Sequence, residues 1–235
     1  MDLIDRLAED PAQAGLFFDV DGVLAPIVAR PQDARVPDET GAELQRLNER
    51  YALVACISGR AGDEARRIVG VPELVYVGNH GLELDDRAAE WGERLQRFLA
   101  EVAWPATENK QLTASLHYRG LHDEARARAA LEDVKARAER EGFVARFGRK
   151  VLEVLPPIDA HKGTAVRQLL AERSLRRALY AGDDTTDLDG FRALDGLDVS
   201  VRIAVASEEG PAELREAADL TVAGPQELLS VLRRL

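Results

Sequence analysis

Gly15-Leu16-Phe17-Phe18-Asp19-Val20-Asp21-Gly22-Val23-Leu24-Ala25-Pro26 is the stretch whose reading decides the fold. Leu16, Phe17 and Phe18 read as a buried strand that delivers Asp19 and Asp21 to its C-terminal end. In a parallel α/β sheet that end opens onto the crevice where ligands bind. A strand of period two sends both carboxylates to one side if the backbone stays extended, and Gly22 permits a turn just afterwards. Carboxylates so close repel each other and ask for a cation. Hard oxygen donors suit magnesium, which takes one or two carboxylates together with water and a substrate phosphate. Taken alone, the stretch also reads as a plain Asp-Gly turn closing a strand.

The same rhythm recurs further along. A helical pattern from Glu43 to about Arg50 precedes an apolar run, Ala52 to Ile57, ending in Ser58-Gly59-Arg60. A short helix through Arg66 and Ile68 stops at Gly70, and a third strand, Leu74 to Val77, ends in Gly78-Asn79-His80-Gly81. After Pro156-Pro157 come a helix from Lys162 to Glu172, a strand Ala178 to Ala181, and Gly182-Asp183-Asp184. A helix through Leu188 and Phe191, a strand Val201 to Val205, a helix near Ala212 to Ala217, a strand Leu220 to Val222 and a closing helix from Gln226 complete the chain. Strands alternating with helices imply a parallel sheet covered on its faces.

Between Leu84 and Pro157 the rhythm changes. A helix Ala88 to Val102, a strand Leu112 to Tyr118, a charged helix His122 to Glu141 and two strands, Phe143 to Phe147 and Val151 to Leu155, suggest an α+β layer with an antiparallel or mixed sheet. The expected fold is therefore α/β: a Rossmann-like parallel-sheet core formed by residues 1–83 and 158–235, with an inserted α+β domain over 84–157.

Composition narrows the function. With 42 acidic against 31 basic residues and a net charge of −11, non-specific nucleic-acid binding is disfavoured, and no basic run suggests a membrane patch. The single cysteine, Cys56, lies in an apolar run and reads as core; one cysteine allows no internal disulfide, so the cytoplasm is the expected compartment. The acidic opening Met1 to Asp10 is unlike a secretory leader, and no apolar run reaches membrane-spanning length. The histidines show no paired metal spacing, which argues against zinc.

Four strand-end elements carry the chemistry: Asp19 with Asp21, Ser58, Lys162, and Asp183 with Asp184 and Asp187. If the core strands are adjacent and parallel, all four meet at one sheet edge. There Asp19 could attack phosphorus to form an acyl phosphate, and Asp21 could protonate the leaving alcohol and then deprotonate water. Ser58 could donate to a phosphoryl oxygen, Lys162 and magnesium could neutralise charge, and the second acidic cluster would hold the metal. Singly, each has a structural alternative: an ordinary turn at Ser58-Gly59, an exposed helix-start lysine, aspartates favouring a helix dipole.

This order of motifs resembles the haloacid dehalogenase-like phosphohydrolases. Asp19-Val20-Asp21-Gly22 matches the paired-aspartate motif, Ile57-Ser58-Gly59-Arg60 the serine motif, His161-Lys162-Gly163 the lysine motif and Gly182-Asp183-Asp184-Thr185-Thr186-Asp187 the acidic motif. The resemblance implies Asp19 as nucleophile, Asp21 as acid/base, and magnesium held by Asp19, the backbone carbonyl of Asp21 and Asp183. Asp184 and Asp187 would be supporting acidic residues, and the insertion would be a cap over the active site.

The landmarks FFDVDGVLAPI, SGR, GNHGLE, ENK followed by SLHYR, VLEVLPP, HKGTAV and GDDTTD are similar to those of the trehalose-6-phosphate phosphatases, from about Gly15 to Phe191. That similarity implies cap contacts to sugar from Glu108, Lys110, His117, Arg119 and Glu153, and Arg60, Asn79 and His80 on the core side of the pocket. The strand residues Glu153 and His117 could equally make only cross-strand pairs. Val20 stands where the family often has tyrosine, and Val23 where it commonly has threonine; neither removes a reacting group. The expectation that follows from this similarity is a magnesium-dependent, monomeric phosphatase of a small sugar phosphate, trehalose 6-phosphate, giving trehalose and inorganic phosphate. The alternatives are a related phosphatase acting on mannosyl-3-phosphoglycerate or sucrose 6-phosphate, or a sugar-phosphate-binding regulator without turnover.

Overall fold

The computed structural model describes residues 2–206 and 210–235. The chain divides into two compact units: one runs to Gly81 and resumes from Ala160 to Leu235, and the other spans Leu82–Asp159.

The first unit opens with α1 (Leu3–Ala8), β1 (Ala14–Phe18), α2 (Asp38–Arg50), β2 (Leu53–Ile57), α3 (Gly62–Val69) and β3 (Val75–Val77). The inserted unit follows with α4 (Ala88–Val102), β4 (Thr107–Asn109), β5 (Ala114–His117), α5 (Glu124–Arg140), β6 (Val144–Gly148) and β7 (Val151–Leu155). The chain returns through α6 (Lys162–Glu172), β8 (Arg177–Gly182), α7 (Asp187–Arg192), β9 (Val199–Val205), α8 (Ala212–Ala217), β10 (Leu220–Val222) and α9 (Pro225–Leu232).

The core sheet has the order β10-β9-β8-β1-β2-β3, with every neighbouring pair parallel. Each residue of β1 and β2 is buried, as befits central strands covered on both faces. β1 lies between β8 and β2, with Phe18 level with Ala181 on one side and Cys56 on the other. The last residues of three adjacent strands therefore share one sheet edge. Helix α2 begins five residues earlier than its apolar periodicity suggests, because Asp38 and Glu39 in its first turn favour the helix dipole without contributing to an apolar stripe. Gly70 caps α3 in the left-handed conformation, φ 74°.

The inserted unit carries a wholly antiparallel sheet, β4-β5-β7-β6. Its edge strand β4 corrects the strand count read from the sequence. Thr107-Glu108-Asn109 is polar, with Thr107 half-buried and Glu108 and Asn109 exposed, so it has no apolar alternation and is a strand only because β5 offers it a partner. One face of this sheet, through Ala114, Leu116, Ala145, Leu152 and Val154, packs against Leu95 and Phe98 of α4 and Leu131 and Ala138 of α5. Fully burying such a leucine or phenylalanine contributes about 1.5–3 kcal/mol. Among the described residues no helix is long and apolar enough to cross a membrane.

Candidate active site

Extended backbone ends at Phe18. The Asp19 amide still donates to the Ala181 carbonyl (3.0 Å), tying the first residue beyond β1 to β8. The chain then folds into a tight turn in which Leu24 and Ala25 both donate to the Val20 carbonyl (3.0 and 2.8 Å) and Gly22 donates to Ala25 (2.8 Å). Because the strand does not continue, the two aspartates take different partners. Asp19 Oδ2 lies 3.0 Å from Lys162 Nζ. Asp21 receives two bonds from Arg60, Nε to Oδ2 at 2.7 Å and Nη2 to Oδ1 at 2.8 Å.

Lys162, the first residue of α6, is 2% exposed, and its ammonium also donates to Asp187 Oδ1 at 2.7 Å. Asp187 opens α7 and is fully buried. Its Oδ1 also accepts from the Tyr180 hydroxyl (2.8 Å), and its Oδ2 accepts the amides of Asp183 (2.9 Å) and Asp184 (3.0 Å). Four bonds of this kind make Asp187 a buttress that shapes the end of β8 and anchors the lysine. Gly182 admits this carboxylate, since a Cβ there would lie 2.3 Å from Asp187 Cβ.

Asp19, Asp183 and Asp187 each offer a carboxylate oxygen, all within 4.8 Å of one another. Burial raises the Asp19 carboxyl above its ordinary value, and Lys162 opposes that rise. Asp183 is pushed up to about 8 by burial and by the Asp19 and Asp187 carboxylates. Lys162 is held above its ordinary value by its two carboxylate partners, which outweigh the opposing effect of burial. Gly22, at φ 77°, completes the cluster: a Cβ there would lie 2.1 Å from Asp183 Oδ2, so only glycine lets that carboxylate sit against the turn. A crowded, hard-oxygen donor set of this kind fits a magnesium ion. Since Asp187 already carries four bonds, Asp19 and Asp183 are the better-placed ligands. Asp184 is exposed and bonds the Thr185 amide and hydroxyl, outside this acidic trio.

Ser58 follows β2 at the same sheet edge and is 1% exposed. Its hydroxyl accepts the Arg60 amide at 3.2 Å. Asn79 and His80 both have positive φ, 50° and 54°, and their amides donate to the Arg60 and Ser58 carbonyls at 2.8 and 2.9 Å. The loops after β2 and β3 are thereby laced together. Asn79 is buried, whereas His80 is exposed with its ring over Gly59.

Within the inserted unit, register places Glu108 opposite Ser115, Ser115 opposite Glu153, and Glu153 opposite Arg146. Directly paired residues share a face, so these four form one row on the side of the sheet away from α4 and α5. Glu108 also pairs with His117 (3.3 Å) and Lys110 (3.6 Å), and Glu153 with Arg146 (2.8 Å). Arg119 instead lies past the end of β5 and donates to the Arg149 carbonyl at 3.4 Å.

Sequence reasoning missed Tyr180, Ser115 and Arg146. Nothing in the apolar run of β8 distinguishes Tyr180. Arg146 was legible from the alternation of Ala145 and Phe147 with outward neighbours, and Ser115 from its place between Ala114 and Leu116.

The chain matches the family model described as trehalose-phosphatase over residues 17–104 and 92–226. A relative described as probable trehalose-phosphate phosphatase 3 of Oryza sativa subsp. japonica is 30% identical over 94% of this chain and 68% of its own length. Among solved structures, trehalose-6-phosphate phosphatase of Aspergillus fumigatus superposes with a TM-score of 0.66 at 24% identity, covering 99% of this chain and 96% of that one. A haloacid dehalogenase-like hydrolase from Bacteroides thetaiotaomicron does so with 0.65 at 12% identity, covering 94% and 98%. At these identities the structural likeness speaks for the fold, a Rossmann-like core of haloacid dehalogenase type with a cap.

Proposed function

The chain belongs to the trehalose-phosphatase family and is a phosphatase, and from that premise we propose that it hydrolyses trehalose 6-phosphate to trehalose and inorganic phosphate through an aspartyl-phosphate. The observation that carries the mechanism is the buried ammonium of Lys162 held between Asp19 and Asp187. A carboxylate attacking a phosphate monoester brings two anions together, and a positive charge fixed beside the nucleophile stabilises that approach.

Asp19 attacks phosphorus, and the bond from phosphorus to the sugar oxygen breaks with its electron pair leaving on that oxygen. Asp21 gives the oxygen a proton, then takes one from the water that attacks the acyl phosphate, so that Asp19 is restored and phosphate departs. Ser58 donates to a phosphoryl oxygen. Asp19, the Asp21 carbonyl and Asp183 would hold a magnesium ion, which would supply further positive charge at the phosphoryl oxygens. Asp184 is left to support the acidic loop, and Asn79 and His80 to shape the substrate-binding loop after β3.

Phosphate release from trehalose 6-phosphate, sucrose 6-phosphate, mannosyl-3-phosphoglycerate and glucose 6-phosphate tests the substrate. The expected result is at least about tenfold higher kcat/KM for trehalose 6-phosphate; a higher value for any of the others overturns the assignment. Chelation should abolish turnover and magnesium restore it, and full activity in excess chelator would remove the metal from the mechanism.

We assign sugar recognition to residues 84–157, through Glu108, Lys110, His117 and Glu153, with Arg119 at the strand end. Sites built to hydrogen-bond hydroxyls reject analogues that leave their polar groups unpaired. Lys110→Ala or Glu153→Ala should lower kcat/KM on trehalose 6-phosphate about tenfold, or about 1.4 kcal/mol, with little effect on a small aryl phosphate. Equal losses on both substrates would move these residues out of sugar binding.

The raised carboxyl of Asp183 has a consequence for stability. Its ordinary value is 3.8 and its folded value about 8, so the folded chain binds the proton more tightly than the unfolded chain. That contribution is complete below pH 3.8 and is lost as the pH rises through about 8. Protein stripped of divalent cations should therefore melt at falling temperature between about pH 5 and pH 9, and magnesium should flatten the slope. A melting temperature rising over that range without cation would contradict the raised value. The buried single thiol, Cys56, is consistent with a reducing compartment, and we place the protein in the cytoplasm as a monomer acting on a small molecule.

A further inference from the structure

Resting on the phosphatase reading above, we propose that Arg60 is a positioning residue for Asp21, fixing the plane in which the acid/base carboxylate meets the leaving oxygen. Both oxygens of Asp21 are bonded by one guanidinium, at 2.7 and 2.8 Å. A planar fork matched to a carboxylate in this way fixes orientation as well as distance, and it takes one lone pair of each oxygen, leaving a second on each to carry the proton that passes to the leaving oxygen. Arg60 is itself held on three further sides. Its Nη1 donates to Glu64 Oε1 of α3 at 2.6 Å, its amide donates to the Ser58 hydroxyl at 3.2 Å, and its carbonyl accepts the Asn79 amide at 2.8 Å. The side chain is only 16% exposed, so few alternative rotamers are open to it.

Asp21 gains such a holder where the strand has ended. It follows the end of β1 in a tight turn beside Gly22, where an isolated bridge to Ala25 is its ladder contact among the described residues. Asp19 is fixed by Lys162; Asp21 is fixed by Arg60. The same arginine ties the residue that handles the leaving-group proton to the hydroxyl assigned to the phosphoryl oxygen. This role differs from a sugar contact, which the family resemblance suggested for Arg60.

A series of small monoesters separates the roles, because kcat/KM reports only the steps up to phosphoenzyme formation, and the need for a proton grows as the leaving alcohol becomes less acidic. The probes are p-nitrophenyl, phenyl and ethyl phosphate, none of which carries a sugar. Arg60→Ala should lower kcat/KM on ethyl phosphate at least about 30-fold and on p-nitrophenyl phosphate less than about threefold, steepening the dependence on leaving-group acidity. Arg60→Lys keeps the charge without the fork and should fall between wild type and Arg60→Ala. Equal losses across the series would overturn the proposal in favour of phosphoryl binding or a folding role. An unchanged series with a loss confined to trehalose 6-phosphate would overturn it in favour of a sugar contact. A wild-type protein that released phosphate from no ester would instead remove the phosphatase reading, and the role of Arg60 with it.

Discussion

Asp19→Asn is expected to fold, to keep its melting temperature and to lose turnover by at least about a thousandfold. The amide has nearly the shape of the carboxylate and can still accept from Lys162, so the packing at the end of β1 is preserved. It cannot form the acyl phosphate, because its nitrogen carries no available electron pair and its oxygen no charge. Asp19 is buried within 4.8 Å reach of the Asp183 and Asp187 oxygens, and a neutral side chain there removes one of three crowded carboxylates. Stability should therefore hold or rise slightly. Phosphate release and thermal melting measured on the same preparation check both halves. Near-normal turnover would eliminate the covalent route, and a large fall in melting temperature would show that the charge of Asp19 is structural.

Lys162→Met carries the second large effect, and here stability and activity fall together. The ammonium is the shared partner of two buried carboxylates, at 3.0 Å from Asp19 and 2.7 Å from Asp187. Asp187 retains Tyr180 and two backbone amides after the change, but Asp19 loses its ion pair. Removing one partner of a buried ionic cluster costs about 3–5 kcal/mol because the remaining charge is left uncompensated. The loss should be greater near pH 8 than near pH 5, since at the lower pH the freed Asp19 carboxyl escapes the penalty by taking up a proton. Turnover should drop at least about a hundredfold from loss of charge stabilisation beside the nucleophile. Denaturant unfolding at the two pH values tests the first expectation; a loss below about 1 kcal/mol at both would mean that the cluster is not held by this lysine.

Much of the core was legible because its signals are local. Apolar runs such as Leu16 to Phe18 and Ala52 to Ile57 state their own burial, and Gly70 states the end of its helix whatever surrounds it. Helix α6 begins at Lys162 and ends at Glu172, as its pattern implies. The acidic and lysine motifs could be read singly, yet which side chains touch depends on strand order and register, which no window of sequence contains. Lys162 and Asp187 are 25 residues apart and Arg60 and Asp21 are 39 apart, and each pair meets only because parallel strands deliver their loops to one edge. The short turn after Phe18, closed by hydrogen bonds around Val20 and Gly22, gave the two motif aspartates different partners where an extended strand would have paired them. In the inserted unit β4 lacked any apolar pattern, and the row of Glu108, Ser115, Glu153 and Arg146 came into being only when antiparallel register aligned three strand pairs. Sequence by itself determined the alternation of elements and named the candidate reacting groups, because burial pattern and chemistry are properties of residues. Tertiary structure decided the pairing of those groups, because contact is a property of register.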